Sequence, residues 1–406
     1  MNISSMKKYA VIVVGLTVLM VLCGPADARK KITMPTERAV YHNNQGVSFL
    51  NKNDYESAET EFKTAIELSP EYVEAYNNLG IVYRKTGRND LAKAQFEKAI
   101  DLDNKYAAAY GHLGAVYLAE ENVDEAIKVT KKGLKKDSTL ADLHYNLGLA
   151  YVEKTKQDKS KNYYPNAEQE LVKATELNPN LTHAHLLLAK IYKEQGDLER
   201  SSIRYRLALA DKPDSAKQWV GLGQLYLEKN EPQKALNCFQ KAIELNPESP
   251  TAHMALGRYY IAIGNENSAI NEFKSVTALE PLNEMAWFSL GSVELTSGKL
   301  DQAATALAKA KEINPNLADA SFNLGLTYLK QKKTLSAMRE WEYTVTVDPN
   351  HARALYNLGN LYVQQGRNED AFQMFCRFVK IAGSQFPTEV AIATQVIKAN
   401  NVKCHN

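Results

Sequence analysis

Cysteine is scarce in this chain, and so are tryptophan, net charge and long apolar runs. The 406 residues carry four cysteines, none in a C-x-x-C pair, which excludes a disulfide-built scaffold and gives no sign of a zinc or thiol-redox motif. A formal net charge of +2 leaves no electrostatic footprint for nucleic acid. No G-x-S-x-G, P-loop or H-E-x-x-H occurs, so catalysis finds no support and neither a metal nor a cofactor is expected. His183 and His185 flank Ala184, but no third and fourth ligands follow at useful spacing. They read instead as hairpin residues, like His42, His144 and His253, which share a place in the pattern with Trp219 and Trp287. With 45% apolar, 24% charged and 9% aromatic residues, the composition is that of a folded soluble protein.

One apolar run exists, from Tyr9 to Cys23, after Lys7 and Lys8 and before Gly24, Pro25 and Ala26-Asp27-Ala28. It is shorter than the roughly 20 residues that span a bilayer core. The pattern predicts an export signal over residues 1–28, cleaved after Ala28, and a periplasmic protein. A retained membrane anchor or a lipid on Cys23 are the alternatives, and either would bring the N-terminus close to a membrane.

What the chain has in plenty is repetition. Glycines fall at 46, 80, 114 and 148, then at 223, 257, 291, 325 and 359, spaced by 34 except across one gap of 75. Two periods and seven residues fill that gap, with Ala189 in the missing glycine place. Prolines 179, 213, 247, 281, 315 and 349 keep the same beat, with Pro70 as an early member. Within a unit, Tyr76, Leu79, Gly80 and Tyr83 share one face of a helix, and Ala92, Phe96 and Ala99 share one face of a second. Gly87 breaks the chain between them. Small Gly80 and Ala92 permit close approach of the two axes, and proline ends the second helix.

These residues resemble the 34-residue helix-turn-helix signature of the tetratricopeptide repeat family. Ten units fit it from 39 to 385, with a lead-in at 29–38, a seven-residue insertion in the fourth unit at about 154–166, and a capping helix and tail at 386–406. Thr130, Ser201 and Glu294 depart from the pattern. The resemblance implies an all-α, right-handed superhelical solenoid with its first helices lining an inner surface. It also implies a non-enzymatic scaffold that holds extended or helical segments of other proteins there.

Two groups of first-helix residues are expected to face that groove. Asn44, Asn78, Asn146, Asn323 and Asn357 recur just before the packing leucine place, a row of amides able to pair with peptide backbone. The row is similar to the asparagine ladder in the repeat domains of O-linked N-acetylglucosamine transferases, although Leu187, Gly221, Ala255 and Ser289 interrupt it. The second group is apolar and starts in the fourth unit: Tyr145, Leu149, Met254, Phe288, Phe322 and Tyr356, with Val152, Leu186, Val220, Leu227, Ile261, Leu295, Leu326, Leu329 and Val363 alongside. The carboxylate clamp of chaperone-binding relatives has no counterpart at Asn43, Val47, Asn77, Ile81, Gly111 and Ala115. The lysine cluster 128–136 and the insertion lysines 154–161 read as solvated faces, with the insertion the best place for a protein-specific contact.

Cys238 precedes Phe239 and reads as a core residue. Cys376 and Cys404 are expected to pair in an oxidising compartment and staple the end segment over the last repeat. The expected function is a scaffold of the bacterial envelope that assists assembly of a pilus, a secretion apparatus or a polysaccharide exporter. The alternative is a substrate adaptor or non-catalytic subunit of a glycosyltransferase-like enzyme. Oligomeric state leaves no mark in the pattern.

Overall fold

The computed structural model describes residues 34–404. The expected export signal, Cys23 and the start of the lead-in lie outside the described residues. Among the described residues every regular element is helical, and none is long and apolar enough to cross a membrane. The chain divides into two compact units at Asp137 and Ser138.

The first unit holds three helix hairpins: α1 (Glu37–Asn51) with α2 (Tyr55–Leu68), α3 (Val73–Lys85) with α4 (Asn89–Leu102), and α5 (Ala107–Ala119) with α6 (Val123–Leu134). The second holds seven: α7 (Ala141–Gln157) with α8 (Tyr164–Leu177), α9 (Thr182–Glu194) with α10 (Leu198–Asp211), α11 (Ala216–Glu228) with α12 (Pro232–Leu245), α13 (Pro250–Ala262) with α14 (Glu266–Leu279), α15 (Glu284–Thr296) with α16 (Leu300–Ile313), α17 (Ala318–Lys330) with α18 (Thr334–Val347), and α19 (Ala352–Gln364) with α20 (Asn368–Ala382). A closing helix, α21 (Pro387–Ala399), follows.

Eight of the ten hairpins are keyed by one contact, the exceptions being repeat 3, where Gly114 faces Thr130, and repeat 5. The first-helix glycine faces a large side chain from the second helix, so tightly that a Cβ on Gly80 would stand 2.6 Å from the Phe96 ring. In repeat 5 the glycine is missing and the packing changes. Ala189 occupies the place, the ring of Tyr205 lies instead beside Gly221 of the next hairpin, and Ser201 fills the vacated space by donating its hydroxyl to the Ala189 carbonyl at 2.7 Å.

A second contact locks the second to the tenth hairpin to the loop before it. Tyr76, Tyr110, His144, His185, Trp219, His253 and Trp287 bond through a side-chain O–H or ring nitrogen to the carbonyl six residues earlier, at 2.8–3.1 Å. The acceptors are Pro70, Asn104, Ser138, Pro179, Pro213, Pro247 and Pro281. Ser321 and Leu355 stand at this place in the last two repeats, and there the second helix supplies the donor: Tyr343 to Pro315 at 3.1 Å and Arg377 to Pro349 at 2.7 Å.

The insertion differs from a simple projecting turn. Part of it is helix, since α7 runs to 17 residues and takes in Lys154 and Lys156. The remaining loop is braced: Tyr163 donates its backbone N–H to Thr155 at 3.1 Å and stacks on Tyr151, and the Tyr164 hydroxyl bonds Glu194. At the other end, α21 buries Ala393 and Ile397 against the last hairpin. A disulfide joins Cys376 of α20 to Cys404 of the tail, with Cα atoms 5.4 Å apart. Cys238 is buried and free.

Candidate functional site

Successive first helices touch one another at α1 and α3 and at α3 and α5 in the first unit, and at α11 and α13 and at α15 and α17 in the second. They therefore form the inner side of each stack. The fifth residue of each repeat sits in the seam between neighbours, and the two units fill this seam differently.

In the first unit the seam is amide. Asn43 and Asn77 are 6% and 3% exposed, and Asn78 donates to the Asn43 side chain at 3.0 Å. In the second unit it is apolar. Tyr145, Met254, Phe288 and Tyr356 are partly buried there, while Val220 and Phe322 are buried. Phe322 is the most deeply buried of these residues. Small Ser321 beside it leaves room for the phenyl ring to turn inward, where it lies 4.7 Å from His351 and 6.2 Å from Trp341, ring centre to ring centre. Val152 and Leu295 are buried as well, whereas Ile261, Leu329 and Val363 stay exposed and Leu149 lies between.

The asparagines are partly committed. Besides Asn78, Asn323 donates to Ser292 on the preceding first helix at 3.0 Å. Asn44 is exposed, Asn146 is partly buried, and Asn357 borders a hollow.

That hollow is lined in part by first-helix residues. About 280 Å³ in volume, it is lined by Phe322, Leu326, Arg353, Tyr356, Asn357, Phe378, Phe386 and Glu389. Four rings make its walls, with Tyr356 and Phe378 5.2 Å apart and Phe378 and Phe386 6.2 Å apart. Arg353, its guanidinium 5.1 Å from the Phe322 ring, and Glu389 give it polar edges of opposite sign. Phe322, Tyr356 and Asn357 are legible from repeat position. Arg353 and Glu389 carry no signal of that kind, and Phe378 and Phe386 come from a second helix and the turn before α21, where a first-helix pattern does not reach.

Of the histidines, His183 is exposed and His185 buried on its loop carbonyl, so the pair does not converge. Glu294, in the tyrosine place of repeat 8, is 2% exposed, and burial pushes its carboxyl above the ordinary range against the pull of Lys274 and Lys299.

Helix hairpins in stacked register with a hollow on the inner side define a helical-repeat protein-interaction scaffold. Tetratricopeptide repeat models match residues 73–106, 216–249 and 322–385, and a TPR repeat model matches 46–87 and 291–332. The chain belongs to the tetratricopeptide repeat family. Among solved structures, YrrB, described as a TPR protein with an unusual peptide-binding site, is 25% identical over 46% of this chain and 96% of its own, with a TM-score of 0.41. Yeast Tom70 is 15% identical over 89% of this chain and 96% of its own, TM-score 0.44. MamA of Desulfovibrio magneticus RS-1 is 23% identical over 42% and 96%, TM-score 0.39. Among curated proteins none matches the chain.

Proposed function

We propose that this protein is an exported scaffold of the bacterial envelope whose second unit holds a segment of another envelope protein along its inner side, with one large apolar side chain seated in the terminal hollow. The hollow carries this reading. At about 280 Å³ it falls just below the roughly 300–1,000 Å³ of small-molecule sites, a size suited to a single anchoring side chain. Its rings supply the apolar contact typical of interface anchors, and Asn357 at its edge is suited to a backbone amide. The Cys376–Cys404 bond supports an oxidising compartment, since such bonds seldom persist in a reducing cytosol. Assistance in assembling an envelope complex follows from the combination of export and peptide holding.

The test is a photo-crosslinking residue at Leu326 in the full chain, expressed in its own cell. A crosslink to one envelope polypeptide, lost when Tyr356→Glu puts a charge in the hollow, is expected. Crosslinks that persist unchanged in Tyr356→Glu would remove the hollow from the reading, and recovery of the protein with cytosolic partners only would remove the envelope.

A further inference from the structure

Four arginines are partly buried among the described residues: Arg84, Arg88, Arg204 and Arg377. Three are engaged. Arg88 donates to Glu59 at 2.6 Å, Arg377 to the Pro349 carbonyl at 2.7 Å, and Arg204 meets the His185 ring at 3.4 Å. Arg84, in the last turn of α3 on the inner side of the first unit, has no such partner. Its Nε is buried without a hydrogen bond, and no ion pair reaches its guanidinium among the described residues. Burial alone acts on Arg84, and two carboxylates of the same unit are bound to other cations: Glu59 to Arg88 and Lys63, Glu120 to Lys93. Glu74 stands at the far end of α3, about 15 Å away by the helical rise.

Asn77, 3% exposed, has a buried side-chain oxygen with no partner. His112, on the neighbouring first helix, stacks on Phe96 at 5.5 Å. Burial, reinforced by the Arg84 charge, holds its imidazole down to about 4, so the ring is neutral in ordinary buffers and adds no second cation. Each buried N–H without a partner costs about 1–3 kcal/mol, so Arg84 destabilises the unit that holds it. A guanidinium kept at such a cost on a binding surface calls for a planar anion that takes two N–H bonds at once.

We propose that Arg84 is the anion-recognition element of the first unit, binding the carboxylate of an aspartate or glutamate side chain in an extended segment of a partner protein, with exposed Lys85 at its rim. A protein segment is favoured over nucleic acid because the net charge is only +2 and the exposed amide of Asn44 on α1 of the same unit suits peptide backbone. The site is separate from the hollow of the second unit, so either can fail without the other.

The experiment uses the full chain with its disulfide intact and a fluorescent decapeptide of alternating Glu and Gly, acetylated and amidated, beside its Gln counterpart. The Glu peptide should bind at 0.15 M salt, shift the His112 ring resonances, and bind at least tenfold more weakly to Arg84→Gln. Arg84→Met should lose binding yet unfold at higher urea, a pairing that a merely structural arginine would not show. Equal binding of the two peptides, no shift at His112, or unchanged affinity in Arg84→Gln would each overturn the proposal. Binding confined to a Gln peptide with a free C-terminus would do so too, because the carboxylate would then be terminal.

Discussion

Gly257→Ala is a substitution for which helix propensity and packing predict opposite signs. Alanine in place of a mid-helix glycine should stabilise a helix by about 1 kcal/mol. In this fold the new Cβ would stand 2.6, 2.9 and 3.0 Å from three atoms of the Phe273 ring, close to 1 Å inside the roughly 3.5–4.0 Å at which carbon atoms are comfortable. The ring is fully buried among Ala269, Ile270, Leu290 and Val293 and has no free space to enter. Overpacking of this kind costs about 1–3 kcal/mol, and three simultaneous contacts put it at the upper end. The expected result is a net loss of about 2 kcal/mol, read from urea unfolding of the oxidised protein. Faster amide exchange should be confined to α13 and α14, because repeat arrays feel a local change mainly through nearest neighbours. In a Phe273→Ala background the clash disappears, and the same substitution should become stabilising by about 1 kcal/mol. The coupling between the two sites would then be about 3 kcal/mol. A stabilised single variant, or additive effects, would refute the account of the glycine period. Repeat 5 already contains the outcome in natural form, with Ala189 and a displaced Tyr205.

Other residues yield shorter tests. Because burial raises the Glu294 carboxyl, its contribution is favourable below the ordinary carboxylate range and is lost as pH rises through the folded value. Glu294→Gln should therefore raise the melting temperature at pH 7 and leave it nearly unchanged at pH 4, and an equal gain at both would contradict the titration. Cys404→Ser opens a link spanning 28 residues, worth about 3–4 kcal/mol by loop entropy. Hydrogen exchange over α21 should rise sharply, and unchanged protection there would show that the helix docks without its staple. Lys332 takes a left-handed φ of 63° where Gly87, Gly264 and Gly298 serve in other repeats. Lys332→Gly should gain about 0.5–1 kcal/mol in thermal unfolding, and a loss would mean that the lysine side chain supplies more than the strain costs.

The hairpins were legible because their defining contacts are made by residues at fixed spacing. Glycine and the loop proline recur every 34 positions in most repeats, and the residue facing the glycine holds its place even where it is Thr130, Leu171 or Leu307 and not a ring. The reason for His144, Trp219 or Tyr76 at one place was less legible. They read as interchangeable aromatics, whereas their shared property is a polar group aimed at a backbone carbonyl, and backbone acceptors leave no letter in a sequence. The fate of Phe322 depends on three separate neighbours, Ser321, Trp341 and His351, so no periodic rule could turn it inward. The hollow is hidden for a related reason, since half of its rings lie outside the first helices. Arg84 looks like any basic residue near a helix end. Its lack of a partner is a property of where Glu59, Glu74 and Glu120 point.

The seam between first helices restricts how these repeats can be rearranged. Hairpins of one period and one fold suggest units that could be exchanged freely along the array. Yet Asn43, accepting from Asn78, closes an amide seam in the first unit, and Val220 and Phe322 an apolar one in the second. A hairpin carrying Asn43, transplanted beside Val220, would bury its amide without Asn78 to bond it, and the reciprocal move would strand Asn78. Shuffling, duplication or deletion of repeats is thus permitted within each unit and penalised between them, so the order of the array is inherited as two blocks although its fold is inherited ten times over.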